Sequence, residues 1–188
     1  EWLQGMNRMD LNIVPATFVK NTLANISFDV VDDRTQQKTG VLRNEKPLEV
    51  LFEGADTNIY KPTKQFSKNL VDEMNKIDEK FNFLYVGHWL QGGMGEDRKD
   101  TGMLVKVFCE TFKNLKQKPG LIMKTSGAGY SVLDRQSMLH KIREIRAGVS
   151  GDLPNVYLLH GDFMDEEING LYNHPKVKAH VSLTHGEG

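Results

Sequence analysis

Phe81-Asn82-Phe83-Leu84-Tyr85-Val86-Gly87 is the stretch on which the fold of this 188-residue chain turns. Phe81 to Val86 is a compact apolar run with aromatic and β-branched residues, the composition of a buried strand. Gly87 to Asp100 follows as a long loop carrying Gly87, Gly92, Gly93 and Gly95. Beyond it Met103, Val107, Phe108 and Phe112 recur at helical spacing, which predicts an amphipathic helix ended by Pro119-Gly120. The pattern then repeats. Leu121 to Lys124 reads as a strand, Ser126-Gly127-Ala128-Gly129 as a loop, and Asp134 to Ile145 as a helix with Leu139, Ile142 and Ile145 inward. Val156 to Leu159 is the next strand, followed by His160-Gly161-Asp162, a helix from Asp165 to Tyr172, and a closing strand from Ala179 to Leu183. Strand and helix alternate three times and end on a fourth strand, the order of an α/β fold with a doubly wound parallel sheet.

Upstream the signals are weaker. Leu11 to Val14 is a short strand closed by Pro15, and Thr17 is expected to cap a helix from Phe18 to about Ile26. Phe28 to Lys46 is polar and unperiodic, a loop with room for a small hairpin. Leu48 to Phe52 is a second strand, Tyr60-Lys61-Pro62-Thr63 a linker, and Phe66 to Ile77 a short helix. Two strands and a helix are too few to bury a core of their own. Residues 1–62 are therefore expected to be the tail of a preceding domain plus a linker, and residues 63–188 a second domain. The chain begins at Glu1 without an initiating Met and stops at Gly188 just after a strand, so both ends are read as cuts.

Composition narrows the function classes. With 24 basic and 25 acidic residues the formal charge is -1, which gives no field for non-specific capture of nucleic acid. Cys109 is the sole cysteine, so an internal disulfide is excluded, and a cytoplasmic, reducing setting fits. No apolar stretch approaches the roughly 20 residues of a membrane span. Neither a Walker A loop nor a G-x-S-x-G nucleophile elbow is present, and His88 and His185 are not at metal-ligand spacing.

In doubly wound sheets ligands bind beyond the carboxyl ends of the strands. Four loops meet that condition: Gly87 to Lys99, Thr125 to Gly129, His160 to Asp162 and Thr184 to Gly188. Gly87, Gly127, Gly161 and Gly186 are accordingly expected along one sheet edge. Arg98 and Lys99 stand at a helix start, where the dipole disfavours cations unless an anion lies between them and the loop amides; the plainer alternative is a flexible surface loop with two solvated charges. Glu187 stands between Gly186 and Gly188, where a carboxylate could accept hydrogen bonds from sugar hydroxyls; the plainer alternative is a solvated turn. Trp89, in the glycine-rich loop, is the better of the two tryptophans as a sugar platform.

Several segments, in order, resemble retaining GT-B glycosyltransferases, glycosyltransferase family 4 in particular. Met9-Asp10-Leu11-Asn12-Ile13-Val14-Pro15-Ala16 resembles the late strand of their first domain. Leu48 to Asp56 resembles the segment before their interdomain linker, with Ala55 where the family usually has Val. Phe83 to Gly87 looks like the first strand of their donor domain, and Arg98-Lys99-Asp100 falls where the family places a Lys-Gly pair opening a helix. Asp165 to Tyr172 is similar to their short helix before the final site strand. Val181 to Gly188 looks like the opening of the family signature, in which a Glu followed by Gly-Phe-Gly precedes a second Glu by eight positions. His88 departs from the Arg that often follows that first strand's Gly.

The resemblance implies a Rossmann-like donor domain that takes a nucleotide-diphosphate sugar as substrate, with no cofactor and no metal. It implies that Lys99 holds the diphosphate with help from Arg98 and the loop at Gly87 and His88. It places the backbone near His160-Gly161 against the base, and Glu187, flanked by His185, Gly186 and Gly188, against the donor sugar. Glu187 and Lys99 would be the catalytic pair of a hexosyltransferase acting by a retaining mechanism. The acceptor, whether glycan, lipid or protein, is not implied, and the fragment alone is expected to be a poor catalyst. Two other functions fit the same architecture: a nucleotide-sugar epimerase, which would need acid and base groups beside Glu187, and a non-catalytic nucleotide-binding module.

Overall fold

The computed structural model describes residues 2–90, 94, 97–127 and 129–183, in two compact units divided between Asp56 and Thr57. The first unit holds α1 (Trp2–Met6), β1 (Asn12–Val14), α2 (Thr17–Asn25), β2 (Ser27–Val31), β3 (Lys38–Arg43) and β4 (Leu48–Val50). β1 and β4 pair in parallel, and β2 and β3 form an antiparallel hairpin across the segment that reads as unperiodic loop. Thr17 is the first helical residue of α2 and not its cap; Ala16 holds the N-cap position, with no side-chain hydrogen bond. The buried apolar side chains of this unit are Leu3, Val14 and Leu48.

The second unit carries α3 (Lys68–Asn75), β5 (Asn82–His88), α4 (Thr101–Phe112), β6 (Gly120–Ser126), α5 (Val132–Ala147), β7 (Val156–Leu159), α6 (Asp165–Asn173) and β8 (Val177–His180). All four strands are parallel, in the order β7-β6-β5-β8. The chain runs outward from β5 through β6 to β7, then returns to place β8 on the other side of β5. The order therefore reverses at β5, and the crevice at such a reversal is where α/β sheets bind ligands.

Alternation along β5 and β6 sends side chains to opposite faces, and each face has its own core. Tyr85, Leu121 and Met123 pack with Leu104, Val105, Phe108, Cys109, Met138 and Ile142 of α4 and α5. Leu84 and Ile122 pack on the other face with Leu70 and Met74 of α3, Leu159 of β7 and Leu171 of α6. In α5 the buried positions are Met138 and Ile142, a turn apart, with Leu139 and Ile145 only partly covered.

Three boundaries differ from expectation for local reasons. α4 ends at Phe112, well before Pro119-Gly120, because Asn114 adopts a left-handed φ of 61° and its amide and side-chain oxygen both bond Asp152. β6 is longer than its apolar run, extending through Thr125 and Ser126, which pair in register with Gly87 and His88. β8 lies earlier than Ala179 to Leu183, because pairing to β5 begins at Val177 and leaves residues 181–183 outside the ladder apart from the Val181 amide bond to Leu84.

Candidate functional site

The loops after β5, β6 and β7 leave the sheet at its carboxyl edge, and Gly87, Gly127 and Gly161 all lie there. Gly186, His185, Glu187 and Gly188 lie outside the described residues.

At the end of β5 the important neighbour of Gly87 is Lys99. A Cβ on Gly87 would stand 3.2 Å from Lys99 Nζ and 3.0 Å from the Tyr85 hydroxyl, so the ammonium lies close against the strand end and a side chain there would displace it by a few tenths of an ångström. Lys99 is held there by the turn before α4. The buried Asp97 carboxylate accepts the Lys99 amide at 3.2 Å and the Thr101 hydroxyl at 3.2 Å, and Thr101 also shares a 2.8 Å hydrogen bond with the Tyr85 hydroxyl. Asp100 takes the N-cap position of α4 in the left-handed region, at φ 45°, a conformation that Asp tolerates better than most residues. Asp97 thus serves as the acidic group near this helix start. The amide of Lys99 is spent within the turn, while its ammonium lies at the strand end beside Gly87. Arg98 is exposed beside it.

His88 is exposed, and its Nδ1 lies 3.3 Å from the hydroxyl of Ser126 on the adjacent strand. Trp89 does not offer a platform. Its ring is 4% exposed within the α4–α5 core, and Lys141 Nζ stands 5.2 Å from its centroid. A groove of about 340 Å³ runs past it, lined by Leu90, Gly127, Asp134, Ser137 and Lys141 among others.

At the ends of β6 and β7 three polar side chains form a cross-linked set. The His160 ring is 3% exposed, with Nε2 2.7 Å from Asp134 Oδ2. A carboxylate only accepts, so Nε2 carries the proton. Asp134 also accepts the Gly127 amide, at 3.2 Å and 3.1 Å to its two oxygens. Its own amide is capped by the Ser131 hydroxyl at the start of α5. Lys124, 9% exposed, donates from Nζ to the Gly161 carbonyl at 2.9 Å and lies between the rings of Tyr130 and Phe163, at 5.2 Å and 4.9 Å. Burial holds its ammonium below the ordinary value, with Asp162 acting in the opposite sense.

Of the residues the sequence points to, Gly87 and Lys99 meet at the end of β5, Arg98 is exposed beside Lys99 in the chain, His88 stands against β6, and His160-Gly161 is tied to β6 and α5. The sequence reading missed Asp97, Lys124 and Asp134. Asp97 and Asp134 carry a signal in hindsight: an acidic residue shortly before a helix, or within its first turn, is a natural partner for amides and cations near that end. Lys124 has a different one, since a lysine at the end of an apolar strand is rarely without a specific partner. Among the described residues no cluster of His, Cys, Asp and Glu is arranged to hold a metal ion, and no helix is long and apolar enough to cross a membrane.

No family profile and no curated protein matches the sequence. Two solved structures are similar in fold. One is the C-terminal domain of a glycosyl transferase group 1 family protein, LpcC, from Francisella tularensis, at 14% identity and a TM-score of 0.44, with 72% of this chain and 61% of that chain covered. The other is the trehalose-6-phosphate synthase OtsA, at 15% identity and a TM-score of 0.50, with 88% of this chain and 38% of that chain covered. This chain therefore spans under two thirds of either. At such identities the likeness concerns fold alone: an α/β fold with a parallel sheet resembling a GT-B glycosyltransferase domain.

Proposed function

We propose that this chain carries the donor-binding domain of a glycosyltransferase of GT-B architecture, which transfers a sugar from a nucleotide-diphosphate sugar to an acceptor with retention of configuration. The observation that carries the reading is the Lys99 ammonium lying against Gly87 at the carboxyl end of β5, the strand at which the sheet order reverses. That is where a phosphate-bearing ligand belongs in such a sheet, and a cation there has a chemical use. When a glycosidic bond to a diphosphate breaks, negative charge develops on the leaving oxygens. A fixed ammonium stabilises that charge more in the transition state than in the ground state. Arg98, exposed next to Lys99, adds to the same field.

In this reading the His160-Gly161 backbone faces the base, and His88 replaces a guanidinium at the strand end. Glu187 contacts the donor sugar, and His185, Gly186 and Gly188 belong to the same donor-binding set. Residues 1–62 belong to the acceptor-side domain and linker.

The test is ligand-observed NMR of the chain with a panel of nucleotide-diphosphate sugars, matched nucleosides and inorganic pyrophosphate. Saturation transfer to both the base and the sugar protons of at least one donor is expected. Absence of binding across the panel would contradict the proposal. Acceptor-independent interconversion of one nucleotide sugar into its epimer would transfer the reading to epimerisation.

A further inference from the structure

We infer that Asp134 is a positioning residue of the nucleotide site: through His160 it sets the backbone of the 160–161 turn, and through the Gly127 amide it fixes the turn after β6. The inference rests on the donor-site reading above and adds to it a residue outside any glycine-rich motif. Asp134 reaches both turns from the first turn of α5. Its carboxylate takes His160 Nε2 at 2.7 Å and the Gly127 amide at 3.2 Å and 3.1 Å, with the two side chains 14% and 3% exposed. A carboxylate this far withdrawn from solvent needs such partners, and each partner is fixed in turn by serving it.

The geometry is built around this contact. A Cβ on Gly127 would stand 2.6 Å from Asp134 Oδ1, so only glycine lets the carboxylate approach that amide. The Ser131 hydroxyl caps the Asp134 amide at 3.1 Å, which holds the first turn of α5 in place, and the Tyr130 ring meets the His160 ring at 71° with centroids 6.0 Å apart. With its ring turned inward, His160 presents its backbone, not its imidazole, to a ligand. Lys124 holds the Gly161 carbonyl from the other side at 2.9 Å. The turn assigned to the base is therefore clamped at both of its residues, and Asp134 is the group that joins it to the neighbouring loop. Lys99 stands on a different turn, the one before α4.

That separation gives the test. Titration calorimetry of the whole chain compares wild type, Asp134→Asn, His160→Ala and the double variant, each against the nucleoside diphosphate that wild type binds best and against inorganic pyrophosphate. Asp134→Asn is expected to weaken the nucleoside diphosphate at least tenfold and pyrophosphate less than twofold, with His160→Ala losing a similar amount and the double variant no more than either alone. Losses that multiply in the double variant, or equal losses for both ligands, would overturn the inference. A wild type that binds no nucleoside diphosphate would instead overturn the donor-site reading.

A measurement on wild type alone covers the case in which Asp134→Asn does not fold. The His160 ring N–H, held by a carboxylate, should give a resolved downfield proton resonance. The nucleoside diphosphate should shift it and pyrophosphate should not; a resonance unmoved by the nucleoside diphosphate counts against the inference.

Discussion

The two units of this chain bury their apolar side chains to very different extents. In residues 57–188 the cores on the two sheet faces include Leu84, Tyr85, Val105, Leu121, Ile122, Met123 and Leu171, all at 0% exposure. In residues 1–56 the buried apolar side chains are Leu3, Val14 and Leu48, while Trp2, Phe18 and Phe52 are each at least 79% exposed. Both hairpin strands are almost wholly exposed. The second unit has its central strands β5 and β6 covered on both faces by helices, so most apolar residues on them are buried. The first has short ladders with little on either face, and hydrogen bonding between strands adds little net stability without burial.

The largest expected effect comes from a cavity in the better-packed unit. Ile122→Ala empties a fully buried position between Leu84 and Leu159 and should cost about 2–5 kcal/mol, whereas Ile13→Ala, at a position 60% exposed, should stay within about 0.5 kcal/mol. Ile13 and Ile122 fall in different units, so denaturation of each variant is followed by far-UV circular dichroism, which reads the backbone of both. A transition moved as far by Ile13→Ala as by Ile122→Ala would break the contrast.

A smaller effect sharpens it by pH. His174, its ring tilted against that of Phe66 in the second unit, has its imidazole pushed below the ordinary value of 6.5, first by burial and then by Lys176. Its folded pKa is depressed, so the unfolded chain takes up the proton first as pH falls. The corresponding stability is complete above 6.5 and is lost as pH drops from 6.5 towards the folded value. Denaturation between pH 7.5 and 5 should show this slope for wild type and a shallower one for His174→Gln. Equal slopes would mean that the ring is as solvated in the folded state as in the unfolded one.

The same contrast explains what the sequence discloses. β5, β6 and β7 are legible because strands covered on both faces must be near-continuously apolar, as Phe83 to Val86 and Leu121 to Met123 are. The hairpin of Ser27–Val31 and Lys38–Arg43 is legible only as room for one within a polar segment, since strands so largely exposed carry little burial pattern to read. α1, at five residues, is too short for periodicity. At the site, glycine-rich turns at strand ends point to Gly87, Gly127 and Gly161, and Lys99 emerges from its place just ahead of a helix. Asp97, Lys124 and Asp134 stay hidden because their significance lies in partners. Lys124 meets Gly161, and Asp134 meets His160, only once β6, α5 and β7 are assembled.

The central claim is that the Lys99 ammonium at Gly87 receives a diphosphate. The direct measurement is titration of wild type and Lys99→Ala with a set of nucleoside diphosphates. A charge-assisted contact to phosphate contributes about 1.5–3 kcal/mol, so Lys99→Ala should weaken the best-bound nucleoside diphosphate by about one to two decades. Affinity unchanged by the substitution would contradict the account and leave the loop after β5 as surface.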